Sequence, residues 1–127
     1  MLKLLITRPI AQPVLDQAQS LFDVTIHSGG NMTVAQAAAA LAEYDAILPT
    51  LGDAFTADAF AGDIRCKMIG NFGVGYNHID VEAAARVGIA VSNTPDVLTD
   101  ATADIALTLL LATARRAGEG ERMVRSG

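Results

Sequence analysis

The segment Gly73-Val74-Gly75 follows an apolar run, Lys67–Asn71, and precedes Asp80, a residue type suited to cap a helix. Glycines on both sides of Val74 let the backbone take positive φ and approach a ligand closely. Successive peptide N–H groups in such a turn can form a nest for an anion. The chemistry this allows is capture of a small carboxylate by the N–H groups of Val74 and Gly75. The plainer alternative is that two glycines only turn the chain toward the next helix. The same triplet imitates the opening of a dinucleotide fingerprint, yet His78 fills the third glycine position. Ile89–Asn93 also ends without the acidic residue that would take a ribose.

Other constellations fail. His27 and His78 stand far apart with no cysteine or acid at ligand spacing, so no metal site is expected. The first and third β-rich runs end in Thr7-Arg8-Pro9 and Thr50-Leu51, which lack the acids of a phosphate-accepting receiver and the hydroxyl-rich phosphate loop of a flavodoxin. Cys66 precedes a buried run and is expected to pack as a small hydrophobe. Asp96, Asp100 and Asp104 lie near the start of a helix, where carboxylates favour the dipole without any catalytic role. No residue pair offers acid–base catalysis.

These residues need a scaffold, and the alternation of elements supplies one. Strands are expected at Lys3–Thr7, Asp23–His27, Asp45–Pro49, Lys67–Asn71 and Ile89–Ser92. Between them lie a helix opened by Pro13, with Val14, Leu15, Ala18 and Leu21 at helical spacing, and a helix capped by the Thr33/Gln36 box and running to Ala42. A short helical turn at Thr56–Phe60 and a helix over Val81–Val87 complete the set. Five strands alternating with helices imply an α/β, doubly wound parallel sheet of order 2-1-3-4-5, whose ligands sit at the switch between strands 1 and 3. Thr7-Arg8, Thr50-Leu51-Gly52 and the adjacent Gly73-Val74-Gly75 are delivered there. A last helix, Asp100 to Arg116 with Asp100 or Thr99 as cap, is apolar around nearly its whole circumference. Such a helix is buried on all sides in its native setting. The remainder to Gly127 reads as a polar stretch with no closing element.

Composition agrees. The 127 residues are 51% hydrophobic and 18% charged, which excludes a disordered chain. Alanine fills 23 positions and aromatics only 5%, so the core must be small and aliphatic. A net charge of −5 argues against nucleic acid or an anionic membrane as partner. No apolar run approaches the roughly 20 residues that span a bilayer. The opening Met1–Ile6 meets Thr7-Arg8-Pro9 too early for a signal peptide, and a lone cysteine suits a reducing compartment. A cytoplasmic domain is expected.

Two segments carry a resemblance. Asn71-Phe72-Gly73-Val74-Gly75-Tyr76-Asn77-His78-Ile79-Asp80 is followed by Asn93-Thr94-Pro95-Asp96-Val97-Leu98-Thr99-Asp100-Ala101-Thr102-Ala103-Asp104, then by the leucine-rich helix ending in Arg115-Arg116. Together they resemble the D-isomer-specific 2-hydroxyacid dehydrogenases, most closely the glyoxylate/hydroxypyruvate reductase branch. The resemblance implies that residues 1–99 form a flavodoxin-like substrate-binding domain. Residues 100–127 would then be the crossover helix that opens a Rossmann cofactor domain. It implies that Val74 and Gly75 hold the substrate carboxylate, Leu51 lines the substrate pocket and Thr102 faces the nicotinamide of NAD or NADP. It also implies a small 2-oxo acid substrate and a homodimer built on the helix 103–116. The family's dinucleotide fingerprint and its catalytic Arg, Glu and His are not among these residues, so the chain alone is expected to be inactive. The competing expectation is a stand-alone anion-binding or oligomerisation module.

Overall fold

The computed structural model describes residues 1–127. The strands are β1 (Lys3–Ile6), β2 (Asp23–Ile26), β3 (Ala46–Leu48), β4 (Met68–Gly70) and β5 (Ala90–Ser92). The helices are α1 (Gln12–Leu21), α2 (Val34–Glu43), α3 (Val81–Arg86), α4 (Thr99–Ala114) and α5 (Ala117–Ser126), with a 3-10 turn at Ala57–Phe60. All strand pairs are parallel, in the order β2-β1-β3-β4-β5. This is the doubly wound order expected from the alternation. The chain divides into two compact units, Met1–Thr94 and Pro95–Gly127.

In the first unit the interior strand β1 is buried on both faces, with Leu4, Leu5 and Ile6 all inside. The edge strands β2 and β5 keep exposed positions, as strands paired on one side only do. One core lies between the sheet and α2, the 3-10 turn and α3. Leu5, Ile47 and Ile69 from the strands meet Ala37, Ala40, Leu41, Phe60, Ala83 and Ala84 there. The alanines of α2 and α3 bring these helices close to the sheet, which is how a chain poor in aromatics fills its interior. Cys66 belongs to this core, and burial pushes the pKa of its thiol up.

Local signals act as their chemistry dictates. Thr33 Oγ1 accepts from Gln36 N at 3.3 Å while Gln36 Oε1 accepts from Thr33 N at 2.9 Å, a complete capping box. Asp80 Oδ1 accepts from Ala83 N at 2.8 Å and starts α3. Helix α1 departs from expectation: none of its residues is buried, and Val14 and Leu21 are exposed. It packs mainly on the edge strand β2, so only Leu15 and Ala18 of its apolar set are partly covered.

In the second unit α4 begins at Thr99 with Leu98 as its cap residue, so neither Thr99 nor Asp100 serves as the cap. The stretch after it is not irregular. Arg116 takes the left-handed conformation (φ 50°) and ends α4, and α5 runs from there to Ser126. Arg116–Glu119 and Glu121–Arg125 ion pairs, three and four residues apart, line the surface of α5. Gly118 and Gly120 hide this helix from a propensity reading.

Candidate functional site

The site is built where β1, β3 and β4 end. Beyond β4, Asn71 continues the inward-facing alternation set by Ile69 and is 2% exposed. Its amide nitrogen donates to Gly73 O at 3.2 Å and to Gly75 O at 2.9 Å. Thr94 N also donates to Gly73 O at 3.0 Å, and Asn93 Nδ2 donates to Val74 O at 2.9 Å. All three carbonyls of Gly73, Val74 and Gly75 are therefore engaged. The N–H groups of Val74 and Gly75 donate to nothing in the chain, and both residues are exposed. Neither Gly73 nor Gly75 takes the positive φ expected of the glycines flanking Val74; the loop is a turn of ordinary negative-φ backbone, held through its carbonyls, with two adjacent N–H groups left unpaired.

Leu51 stands beside this loop. A bridge pairs Thr50 with Phe72, and Phe72 N donates to Pro49 O at 2.9 Å, so the β3–β4 pairing continues past the strand ends. The loop Thr50–Asp53 thereby lies next to the glycine loop, with Leu51 73% exposed. Gly52 takes φ 95°, and a Cβ there would strike the side chain of Asn31. Thr102 lies in the first turn of α4, in the second unit, where its N–H donates to Leu98 O at 2.9 Å. The structure thus brings the Leu51 loop and the Val74-Gly75 loop side by side at the carboxyl ends of β3 and β4, and Thr102 belongs to the other unit.

Beneath the Leu51 loop is a polar centre that the sequence did not reveal. Asp53 is fully buried. Its Oδ2 accepts from Thr7 Oγ1 at 2.5 Å and Thr50 N at 3.2 Å, and its Oδ1 accepts from Met32 N at 2.9 Å. Arg8 Nη2 stands 3.2 Å from Oδ1 and also donates to Asn31. Burial alone would raise this carboxyl. The donors from Met32, Thr7 and Thr50, with the Arg8 charge, outweigh it and hold the group below the usual carboxylate range. The hint lay in parity: Thr7 falls at the same inward phase as Leu5, a polar residue where the core pattern calls for an apolar one.

His78 completes the arrangement. Its Nε2 lies 3.0 Å from Asn71 Oδ1, and its Nδ1 is buried without a partner. Because the Asn71 amide nitrogen is committed to two carbonyls, its oxygen must accept, which assigns the proton to His78 Nε2. Burial lowers the pKa of this ring, partly opposed by the charge of Asp53. A neutral ring spent on Asn71 is a structural donor rather than a proton-transfer group.

Helix α3 starts only at Val81, after the whole of the glycine loop, and its Ala83 N–H is taken by Asp80. No group of three His, Cys, Asp or Glu side chains is placed to hold a metal, and no helix is long and apolar enough to cross a membrane.

Comparison with known proteins identifies the family of the chain. Residues 4–123 match the family model for the D-isomer specific 2-hydroxyacid dehydrogenase catalytic domain. Glyoxylate reductase of Thermococcus onnurineus is 39% identical over 98% of this chain and 38% of its own length. Glycerate dehydrogenase of Hyphomicrobium methylovorum is 38% identical over 98% of this chain and 39% of its own length. The crystal structure of the TT0316 protein from Thermus thermophilus superposes with a TM-score of 0.82 at 36% identity, over 98% of this chain and 40% of that one. The chain thus spans about two fifths of the length of the relatives it matches. With the family model covering nearly all of its residues, the chain belongs to the D-isomer specific 2-hydroxyacid dehydrogenase family.

Proposed function

We propose that this chain is the substrate-binding part of an enzyme that transfers hydride between NADH or NADPH and a small 2-oxo acid of the glyoxylate or hydroxypyruvate type. The observation that carries the reading is the pair of unpaired N–H groups at Val74 and Gly75 on a loop whose carbonyls are all engaged. Charge-assisted hydrogen bonds from these donors would hold the substrate carboxylate, with Leu51 against its carbon chain. Residues 1–99 act as the substrate domain. Residues 100–127 serve as the crossover into a cofactor domain, with Thr102 toward the nicotinamide.

The cofactor supplies or takes the hydride, and this chain's residues bind and orient the acid. Alone they are not expected to bind the dinucleotide tightly, because the glycine loop has His78 where a dinucleotide fingerprint needs its third glycine. They do not protonate the product oxygen either, since His78 is committed to Asn71. By itself the chain is therefore a half-site without turnover. The apolar helix α4 joins two copies as a homodimer, and the compartment is the cytoplasm.

The test is a titration of the chain with sodium glyoxylate, followed by amide NMR. Saturable shifts at Val74, Gly75 and Leu51 in the millimolar range are expected. Shifts confined to other surfaces would refute the assignment.

A further inference from the structure

Three consecutive carbonyls of the glycine turn are engaged, by Asn71, Asn93 and the Thr94 N–H. Asn71 Nδ2 bridges Gly73 O and Gly75 O, spanning the residue between them. Asn71 itself is buried, 2% exposed. An amide can rotate by half a turn and present its oxygen instead, which would repel both carbonyls. What fixes its sense is His78, whose Nε2 sits 3.0 Å from Asn71 Oδ1. A Cβ on Gly73 would come within 3.5 Å of Asn71 Nδ2, so the loop rests directly on this amide.

We infer that Asn71 and His78 are positioning residues that set the aim of the Val74 and Gly75 N–H groups, so that carboxylate affinity depends on two side chains that never touch the ligand. The inference rests on the proposed carboxylate site. It adds the element that sets how well the site is formed: His78 Nε2–H orients the Asn71 amide, and the amide holds the loop. The peptide planes flanking Val74 and Gly75 are pinned through their oxygens, and their hydrogens face outward. Pre-organised donors of this kind bind better than donors on a mobile turn, because the ordering cost has been met in folding.

Two readouts on the 127-residue chain test it. In the free chain, residual dipolar couplings report the direction of the Val74 and Gly75 N–H bonds. In the titration, sodium glyoxylate reports affinity. Asn71→Leu removes both donors, and His78→Phe removes the orienting donor. Both should change the couplings at Val74 and Gly75, and weaken glyoxylate binding at least tenfold for Asn71→Leu and several-fold for His78→Phe. His78→Gln, which can present an N–H to Asn71 Oδ1, should recover most of the loss. Cys66→Ser, a core variant remote from the loop chemistry, serves as the control that lowers stability without changing affinity. Should Asn71→Leu fail to fold, the His78→Phe and His78→Gln pair carries the test. Unchanged couplings and affinity within twofold of the parent in His78→Phe would overturn the inference. Glyoxylate failing to shift the parent chain would overturn the carboxylate reading instead, and the couplings would still judge the clamp.

Discussion

Replacing Asp53 by alanine should be among the most damaging single changes in the first unit. The carboxylate is fully buried and accepts from Thr7 Oγ1, Met32 N and Thr50 N while facing the Arg8 guanidinium. Alanine leaves the buried Thr7 hydroxyl and Met32 N–H unpaired, at about 1–3 kcal/mol each. It also strips Arg8 of its counter-charge, although that side chain is 25% exposed and can recruit water. A loss of about 3–5 kcal/mol follows, the range for breaking a buried pair from one side. A unit the size of Met1–Thr94 has about 5–14 kcal/mol in total, so the variant should fold only marginally. Asp53→Asn keeps one acceptor and should lose about half as much.

The pH dependence follows from the lowered carboxyl. A group whose folded pKa is depressed stabilises the fold above its unfolded value, about 3.9 for Asp, and that contribution is lost as pH falls through the folded value. The gap between parent and Asp53→Asn should therefore be full at pH 7 and shrink below about pH 4. Asp45, hydrogen-bonded by Arg65, is lowered too, so the difference between the two proteins isolates Asp53 where the parent's acid curve does not. Both tyrosines, Tyr44 and Tyr76, lie in the first unit, and there is no tryptophan. Urea unfolding followed by tyrosine fluorescence thus reports this unit alone. A cost under about 1 kcal/mol for Asp53→Ala at pH 7, or a gap that is the same at pH 3, would refute the reasoning.

Two further outcomes are expected. Ile105, Leu107, Leu109, Leu110 and Leu111 of α4 are each 59–64% exposed, a set that monomeric proteins rarely leave uncovered. Sedimentation at micromolar concentration should show a dimer that Leu110→Glu dissociates, and a monomer unaffected by that change would remove α4 as the interface. Gly52→Ala forces a side chain into φ 95° and against Asn31. It should cost at least about 1 kcal/mol in thermal unfolding and disturb the Leu51 loop, whereas an unchanged melting temperature would mean that the loop relaxes freely.

The sheet order was legible because each short apolar run is separated from the next by its own stop signal and helix, leaving one common parallel solution. Thr33 with Gln36, Asp80 and Gly88 act locally, and local rules recover them. What escaped was long-range. Asp53 meets Thr7 from 46 residues away, and Arg8 from 45. Asn71 acts on the glycine loop only because β4 ends beneath it. Each was visible at most as a polar residue in a core phase, without a partner attached. Helix α5 was missed for the opposite reason: Gly118 and Gly120 argue against a helix, and closely spaced ion pairs accompany it. The leucines of α4 were read as an all-round apolar surface, which their uniform exposure in the chain makes concrete.

The central claim is that these residues hold a 2-oxo acid for a hydride-transfer partner domain. Its most direct test is to join the chain at Gly127 to the remainder of the Thermococcus onnurineus relative and follow oxidation of NADH and NADPH with glyoxylate. Turnover by the joined protein is predicted, with none from the 127-residue chain alone. Turnover should also be lost in the joined protein carrying Val74→Pro, which deletes one of the two free loop donors. A folded fusion that reduces no 2-oxo acid, or one that turns over equally well with proline at position 74, would contradict the account.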